Sequence, residues 1–368
     1  MVIDVHCHVG YSARRLPADA PRFSFESGGD PASGGLDSYF SPRLMAKWDR
    51  LLRWRTVQRA MKITWDGRAG ERLDRQIDAF NARHFDGAKG VDRLVLLAFD
   101  ACHGDDGSTL APSPRRGAAG GDLYVSNSLV RRLCDERPDR YLLGASVHPY
   151  RRIGSRDAVS ALEELKAAGA VLIKWLPIHQ NIRADDPRTI AFLRRAADLR
   201  LAMLIHYGGE MTLAAQHPEF EHPGPMLNVL RGLHREGRMP TTIVAHAATP
   251  SLPLHSADGH RTLIRALCEE FADAPLYADV SALAALGRAP WLLRVARNRP
   301  LHRKLVWGTD FPIPVFPILC WRALWGRRKR LDRIDSWIER DLELKRAVGL
   351  DESVFHRAEQ ILELPVRD

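Results

Sequence analysis

Cysteine is scarce in this 368-residue chain, and its five copies, Cys7, Cys102, Cys134, Cys268 and Cys320, form no C-x-x-C pair. An odd, scattered set argues against a disulfide framework and a zinc ribbon and points to a reducing compartment. Long apolar runs are missing too: the most apolar stretch, residues 311–325, is too short to span a bilayer and is broken by Pro312, Pro314 and Pro317. It reads as a pocket-lining or packing loop. No secretion signal fits at the start, because Met1-Val2-Ile3-Asp4 runs straight into a His-Cys-His motif, so a cytoplasmic location is expected.

An acidic excess is likewise absent, with 54 Lys and Arg against 45 Asp and Glu and a net charge of +9. Such a balance suits nucleic acid or acidic lipid, and the run Arg327-Arg328-Lys329-Arg330 beside Trp321 and Trp325 sharpens that thought. The excess is nevertheless spread along the chain as Arg pairs such as Arg14-Arg15 and Arg194-Arg195, which read as solvated helix faces. No nucleic-acid partner and no membrane contact are therefore expected; a monotopic contact through the apolar stretch and its basic flank is the lesser reading. The partner expected is a small-molecule substrate, and a homodimer stays open. Hydrophobic and charged fractions of 45% and 27% are those of a globular protein and exclude wholesale disorder.

What is present is a recurrence of short β-rich runs, at residues 2–6, 93–99, 141–147, 170–175, 202–206, 242–246, 276–280 and 304–310, with helical patterns between them. Eight such units close a (β/α)8 barrel, so the class expected is an α/β TIM barrel over residues 1–368. Residues 127–136, capped by Ser126 or Asn127, and residues 158–168 and 188–199 read as helices. Two regions exceed a minimal barrel. Residues 10–88 form an insertion after the first strand, and residues 103–122, polar and glycine-rich, read as a mobile loop. Both follow strand ends and would overhang the catalytic face.

Strand alternation turns His6 and His8 to one face and Cys7 to the other. In a chain with 15 histidines an H-x-H pair alone says little. The pair gains weight from Lys174, His206, His246 and Asp310, each at or near the carboxyl end of the fourth, fifth, sixth or eighth strand, where barrel enzymes build their sites. Imidazole and carboxylate suit zinc and related divalent ions.

This order, H-x-H, Lys, His, His, Asp, resembles the metal centre of the amidohydrolase superfamily. The stretches Val2-Ile3-Asp4-Val5-His6-Cys7-His8, Gly169-Ala170-Val171-Leu172-Ile173-Lys174 and Gly308-Thr309-Asp310-Phe311-Pro312 resemble its amidohydrolase-related branch of lactone hydrolases, hydratases and non-oxidative decarboxylases. The resemblance implies that His6, His8, His206 and Asp310 hold a first divalent ion, zinc in the first place and manganese in the second. Lys174 would be a carbamylated bridge to a second ion in a binuclear site, or unmodified in a mononuclear one. His246 would be a further ligand or would orient water or substrate. One ion or two stays open.

With a metal-activated water as nucleophile, Asp310 would carry its proton to the leaving group and His246 would polarise the substrate. Asp4 either fixes a ligand histidine or faces the helices. Candidate substrate contacts are Trp175, Tyr207, Arg151 and Arg152, at or just past strand ends; an arginine could grip a carboxylate, while the plain readings are barrel packing for Trp175 and solvated loop for the arginines. His148 reads as structural. The reaction expected is hydrolysis of an amide, ester or lactone; the alternative is non-oxidative decarboxylation of an aromatic or unsaturated acid, and the last is a non-enzymatic binding protein.

Overall fold

A computed structural model describes residues 1–153, 157–252 and 255–365. The eight apolar runs become eight strands: β1 (Ile3–His8), β2 (Arg93–Leu97), β3 (Tyr141–Ala145), β4 (Ala170–Trp175), β5 (Ala202–His206), β6 (Thr242–Ala245), β7 (Leu276–Asp279) and β8 (Leu305–Val306). Each lies parallel to the next in chain order. The chain beyond β8 returns to β1, where Asp310 N donates to His6 O at 2.8 Å and His8 N to Phe311 O at 2.8 Å. The sheet thereby closes as a (β/α)8 barrel.

Buried on both faces, β2 to β8 are apolar except near their ends, as parallel strands tend to be, while β1 alternates with Asp4, His6 and His8. Leu172, Leu204 and Ile243 belong to the cluster inside the barrel; Ile173, Ile205 and Val244 pack outward against the helices. The last helix, Glu352–Ile361, adds Ala358 and the following Leu362 to the interior cluster.

One irregularity decides where the first motif points. Asp4 lies opposite Leu94 and Cys7 opposite Leu96, three steps on β1 against two on β2. This bulge turns Val5 and His6 inward in succession, while Asp4 and Cys7 face outward. Simple alternation keeps Asp4 on the side of His6; the extra residue removes it.

Residues 9–92 carry far more than one crossover helix. They contribute the short strands Ala13–Arg14 and Ser38–Phe40 and the helices Pro42–Leu52, Arg55–Met61 and Glu71–Asp86. Ser38–Phe40 pairs with Leu123–Val125 from the loop after β2 to complete a three-stranded antiparallel sheet. Residues 103–122, read from sequence as mobile, are laced down. Gly104 N donates to Ser108 O, Ser113 N to Gly121 O, and buried Asp122 pairs with Arg43. Gly107 and Gly120, at φ of 84° and 136°, make the tight reversals this requires.

Residues 311–325 divide rather than pack as a whole. Phe311, Val315, Cys320 and Leu324 are buried, whereas Phe316, Ile318, Trp321 and Trp325 face solvent. Among the described residues no helix is long and apolar enough to cross a membrane.

Candidate metal centre

The carboxyl ends of the strands bring His6, His8, His246 and Asp310 together. Nε2 of His6 lies 3.1 Å from Nε2 of His8, and Oδ1 of Asp310 lies 3.3 Å from the first and 3.2 Å from the second. Nε2 of His246 is 3.7 Å from the other oxygen of Asp310. His6 and His246 are enclosed, while the side chains of His8 and Asp310 keep 21% and 13% exposure, so the site opens to solvent on their side.

Two acids that bind no part of this cluster's open side fix its geometry. Asp279, at the end of β7, accepts from His6 Nδ1 at 2.8 Å with one oxygen and from His246 N at 2.7 Å with the other, which Ser281 N also reaches at 2.9 Å. The His246 ring is set by its Nδ1 donating to Ser281 O at 3.0 Å. Asp4 accepts from the backbone N of His6 and of Thr309, both at 3.0 Å, and from Thr309 Oγ1 at 2.6 Å, tying β1 to the segment that carries Asp310. The choice left open for Asp4 resolves to an outward-facing latch on the backbone of His6. His246 and Asp310 adopt φ of 52° and 63°, a left-handed conformation costly outside glycine and held here by these bonds.

The electrostatics favour neutral imidazoles around one anion. Burial, with Lys174 adding to it, pushes His6 well below the ordinary histidine range, and burial does the same to His246. Burial would raise Asp310, but the positive charge that protonation of His6 would place beside it, a hydrogen bond from His8 and the Lys174 ammonium outweigh burial and hold the carboxylate ionised. With the Nδ1 protons of His6 and His246 committed to Asp279 and Ser281, their Nε2 atoms present lone pairs toward Asp310. His6 Nε2 and Asp310 Oδ1, both electron-rich, thus lie 3.3 Å apart with His8 Nε2 within 3.2 Å of each, a grouping that a proton on His8 or a cation among the three relieves. The donor set of two imidazoles and a carboxylate fits a divalent ion. The grouping of His6, His246 and Asp279 on the other side of the rings is already accounted for by hydrogen bonds.

Lys174 reaches in from β4 with Nζ 3.2 Å from His6 Nε2, and burial lowers its pKa to about 8. His206 stands at the rim of the cluster: its ring is 4.7 Å from that of His246 in an edge contact, its buried Nε2 lacks a hydrogen-bond partner, and Glu210 Oε2 is 3.7 Å away. Burial lowers His206 to about 3, so the ring is neutral.

The substrate candidates are placed elsewhere. Trp175 is fully buried outside the barrel wall, donating Nε1 to Val147 O at 2.8 Å and packing on Phe192. Tyr207 is buried in the outer core. Arg151 is locked onto Asp100, and Arg152 is exposed. His148 is structural: its Nε2 donates to Gln180 O at 2.7 Å and its Nδ1 accepts from Tyr150 N at 3.0 Å. The sequence reading passed over Asp279 and Ser281, although an acid closing β7 is the same signal that picked out Asp310. It also passed over Arg288, after β7. This guanidinium is buried, donates Nη2 to Gly209 O, has no hydrogen-bond partner for Nε among the described residues, and lies in the electrostatic reach of His246, Asp310 and Glu210.

A profile of the family described as Amidohydrolase matches residues 104–348. No curated protein matches the chain. Similar solved structures include an uncharacterised TIM-barrel protein from Bordetella bronchiseptica, 15% identical over 91% of this chain and 99% of that one, with a TM-score of 0.49. A probable 2-pyrone-4,6-dicarboxylic acid hydrolase from Acinetobacter baumannii is 14% identical over 96% and 99% at a TM-score of 0.45. A 5-carboxyvanillate decarboxylase from Sphingomonas paucimobilis is 12% identical over 99% of each chain at a TM-score of 0.49.

Proposed function

We propose, from the premise that the chain belongs to the amidohydrolase family, that it is a metal-dependent hydrolase cleaving an amide, ester or lactone bond of a small anionic substrate. The observation that carries this reading is the convergence of His6 Nε2, His8 Nε2 and Asp310 Oδ1 at the open end of the barrel. These three would hold a divalent ion, zinc or manganese, with His206 as the further neutral donor beside them. The ion would supply an electrophile for the scissile carbonyl and a water acidic enough to ionise near neutral pH.

Asp310 is the one carboxylate of the cluster, and its ionised form can take the proton of an attacking water and deliver it to the leaving group. His246, with Nε2 unprotonated and held by Ser281, orients the substrate or the water from the opposite side of Asp310. Arg288 would bind the anionic end of the substrate through its unpartnered Nε. Lys174 is either the neutral amine that carbamylation requires or an ammonium that donates to His6.

Arg288 also favours a second reading, non-oxidative decarboxylation, since a buried guanidinium beside the centre can hold a carboxylate that is lost as readily as one that stays. Turnover in 18O-labelled water separates the two. Label in the product acid supports the hydrolase; carbon dioxide without label in the organic product supports the decarboxylase; turnover undiminished after chelation contradicts both.

A further inference from the structure

Ten large apolar side chains are exposed among the described residues, and six of them gather on the loops that follow β6, β7 and β8: Leu252, Leu286, Phe316, Ile318, Trp321 and Trp325. These loops touch. Phe316 N donates to Ala284 O, and the Gly287 backbone runs so close to Ser251 that a Cβ there would lie 2.4 Å from its carbonyl oxygen. Trp325 and Leu286 are 85% and 73% exposed, far beyond what a packing role leaves open. The loops belong to the carboxyl side of the barrel, so the patch shares the face on which the metal centre opens.

The flank of this patch is strongly basic. Residues 316–333 hold six arginines and lysines and a single acid, Asp332. Arg328 is 3.9 Å from Asp332 and Arg330 is paired with Glu343, but Arg322, Arg327, Lys329 and Arg333 have no acidic partner among the described residues. Arg322 lies over the Trp321 ring, 5.2 Å from its centroid, leaving both at the surface together.

We propose that this face docks on an anionic lipid surface, Trp321, Trp325, Ile318 and Leu286 entering the headgroup region while Arg322, Arg327 and Lys329 meet lipid phosphates. Tryptophan is the side chain best suited to the boundary between headgroups and acyl chains, and each basic residue near an anionic surface strengthens binding roughly fivefold. The charge pattern decides among occupants. A twofold contact with a second copy would set two basic segments against each other. Nucleic acid would use the cations and could stack on tryptophan, but it has no place for exposed Ile318, Leu286 and Leu252. The proposal does not rest on the reaction assigned to the metal centre.

The test is co-sedimentation of the full-length protein with phosphatidylcholine vesicles, with and without phosphatidylglycerol. Binding to the anionic vesicles, weakened by salt and accompanied by a blue shift of tryptophan emission, is expected. W321A/W325A should lower that binding at least tenfold, and R327Q/K329Q should lower it and flatten the salt dependence, both with an unchanged melting temperature. Absence of binding at low salt, or equal binding by W321A/W325A, would overturn the proposal. So would a dimer in analytical ultracentrifugation that W321A/W325A dissolves, or binding to a DNA oligonucleotide that R327Q/K329Q abolishes while vesicles are ignored.

Discussion

Asp279 and His6 are joined at 2.8 Å, carboxylate to Nδ1, and that bond determines which nitrogen of His6 faces Asp310 and the proposed metal site. An acceptor behind a ligand histidine fixes its tautomer and raises its basicity, and losing it typically lowers metal affinity 10- to 100-fold. Asp279→Asn should therefore keep the fold yet lose zinc at a correspondingly higher free concentration in a competition assay with a chromogenic chelator. An unchanged affinity would remove Asp279 from the account.

Arg288 and Arg151 are both buried arginines with opposite situations. Arg288→Met should reduce kcat/KM for a carboxylated substrate by about 10- to 100-fold, the worth of a hydrogen bond to a charged group, with little change in melting temperature. Arg151→Met should do the reverse, because it strands ionised Asp100 in the interior; loss of one partner of a buried pair costs about 3–5 kcal/mol. Chemical denaturation and steady-state kinetics on the two variants check the contrast.

The same pair sets an acid limit. Burial alone would raise Asp100, but Arg151 holds it far below the ordinary carboxylate value of 3.8. A depressed folded pKa stabilises the protein at every pH above the unfolded value and loses that contribution as pH falls from there toward the folded value. Stability should thus fall more steeply below about pH 4 in the native protein than in Asp100→Asn, as urea midpoints across pH would show.

Gly308 is the close contact between the segment after β8 and β1: a Cβ there would lie 2.9 Å from that of His6. Gly308→Ala should cost about 1–3 kcal/mol and displace His6, lowering both the melting temperature and metal content per chain. A variant that melts lower but binds metal normally would confine Gly308 to packing.

Much of this was legible in the chain because a strand's period of two is strict. The eight runs, their order and the inward aim of Lys174 and His206 all follow from it. The same rule, pressed one residue further, places Trp175 and Tyr207 on the outer wall, where the structure has them. What sequence could not supply were the exceptions to period and the long-range partners. The bulge between Asp4 and Cys7 inverts the side of Asp4, and no local pattern shows that Asp100 waits for Arg151 or that Asp279 stands behind His6. The aromatic segment at residues 311–325 misled differently: apolar composition predicts burial, but prolines and a short helical turn leave half of it outside.

The most direct test of the central claim is calorimetric titration of the chelator-stripped protein with zinc and with manganese, repeated on His8→Ala and Asp310→Ala. Tight binding by the native chain at one or two equivalents, lost or reduced by two orders of magnitude or more in each variant whose fold is intact, is the predicted result. No binding by the native chain, or unaltered binding by both variants, would contradict it.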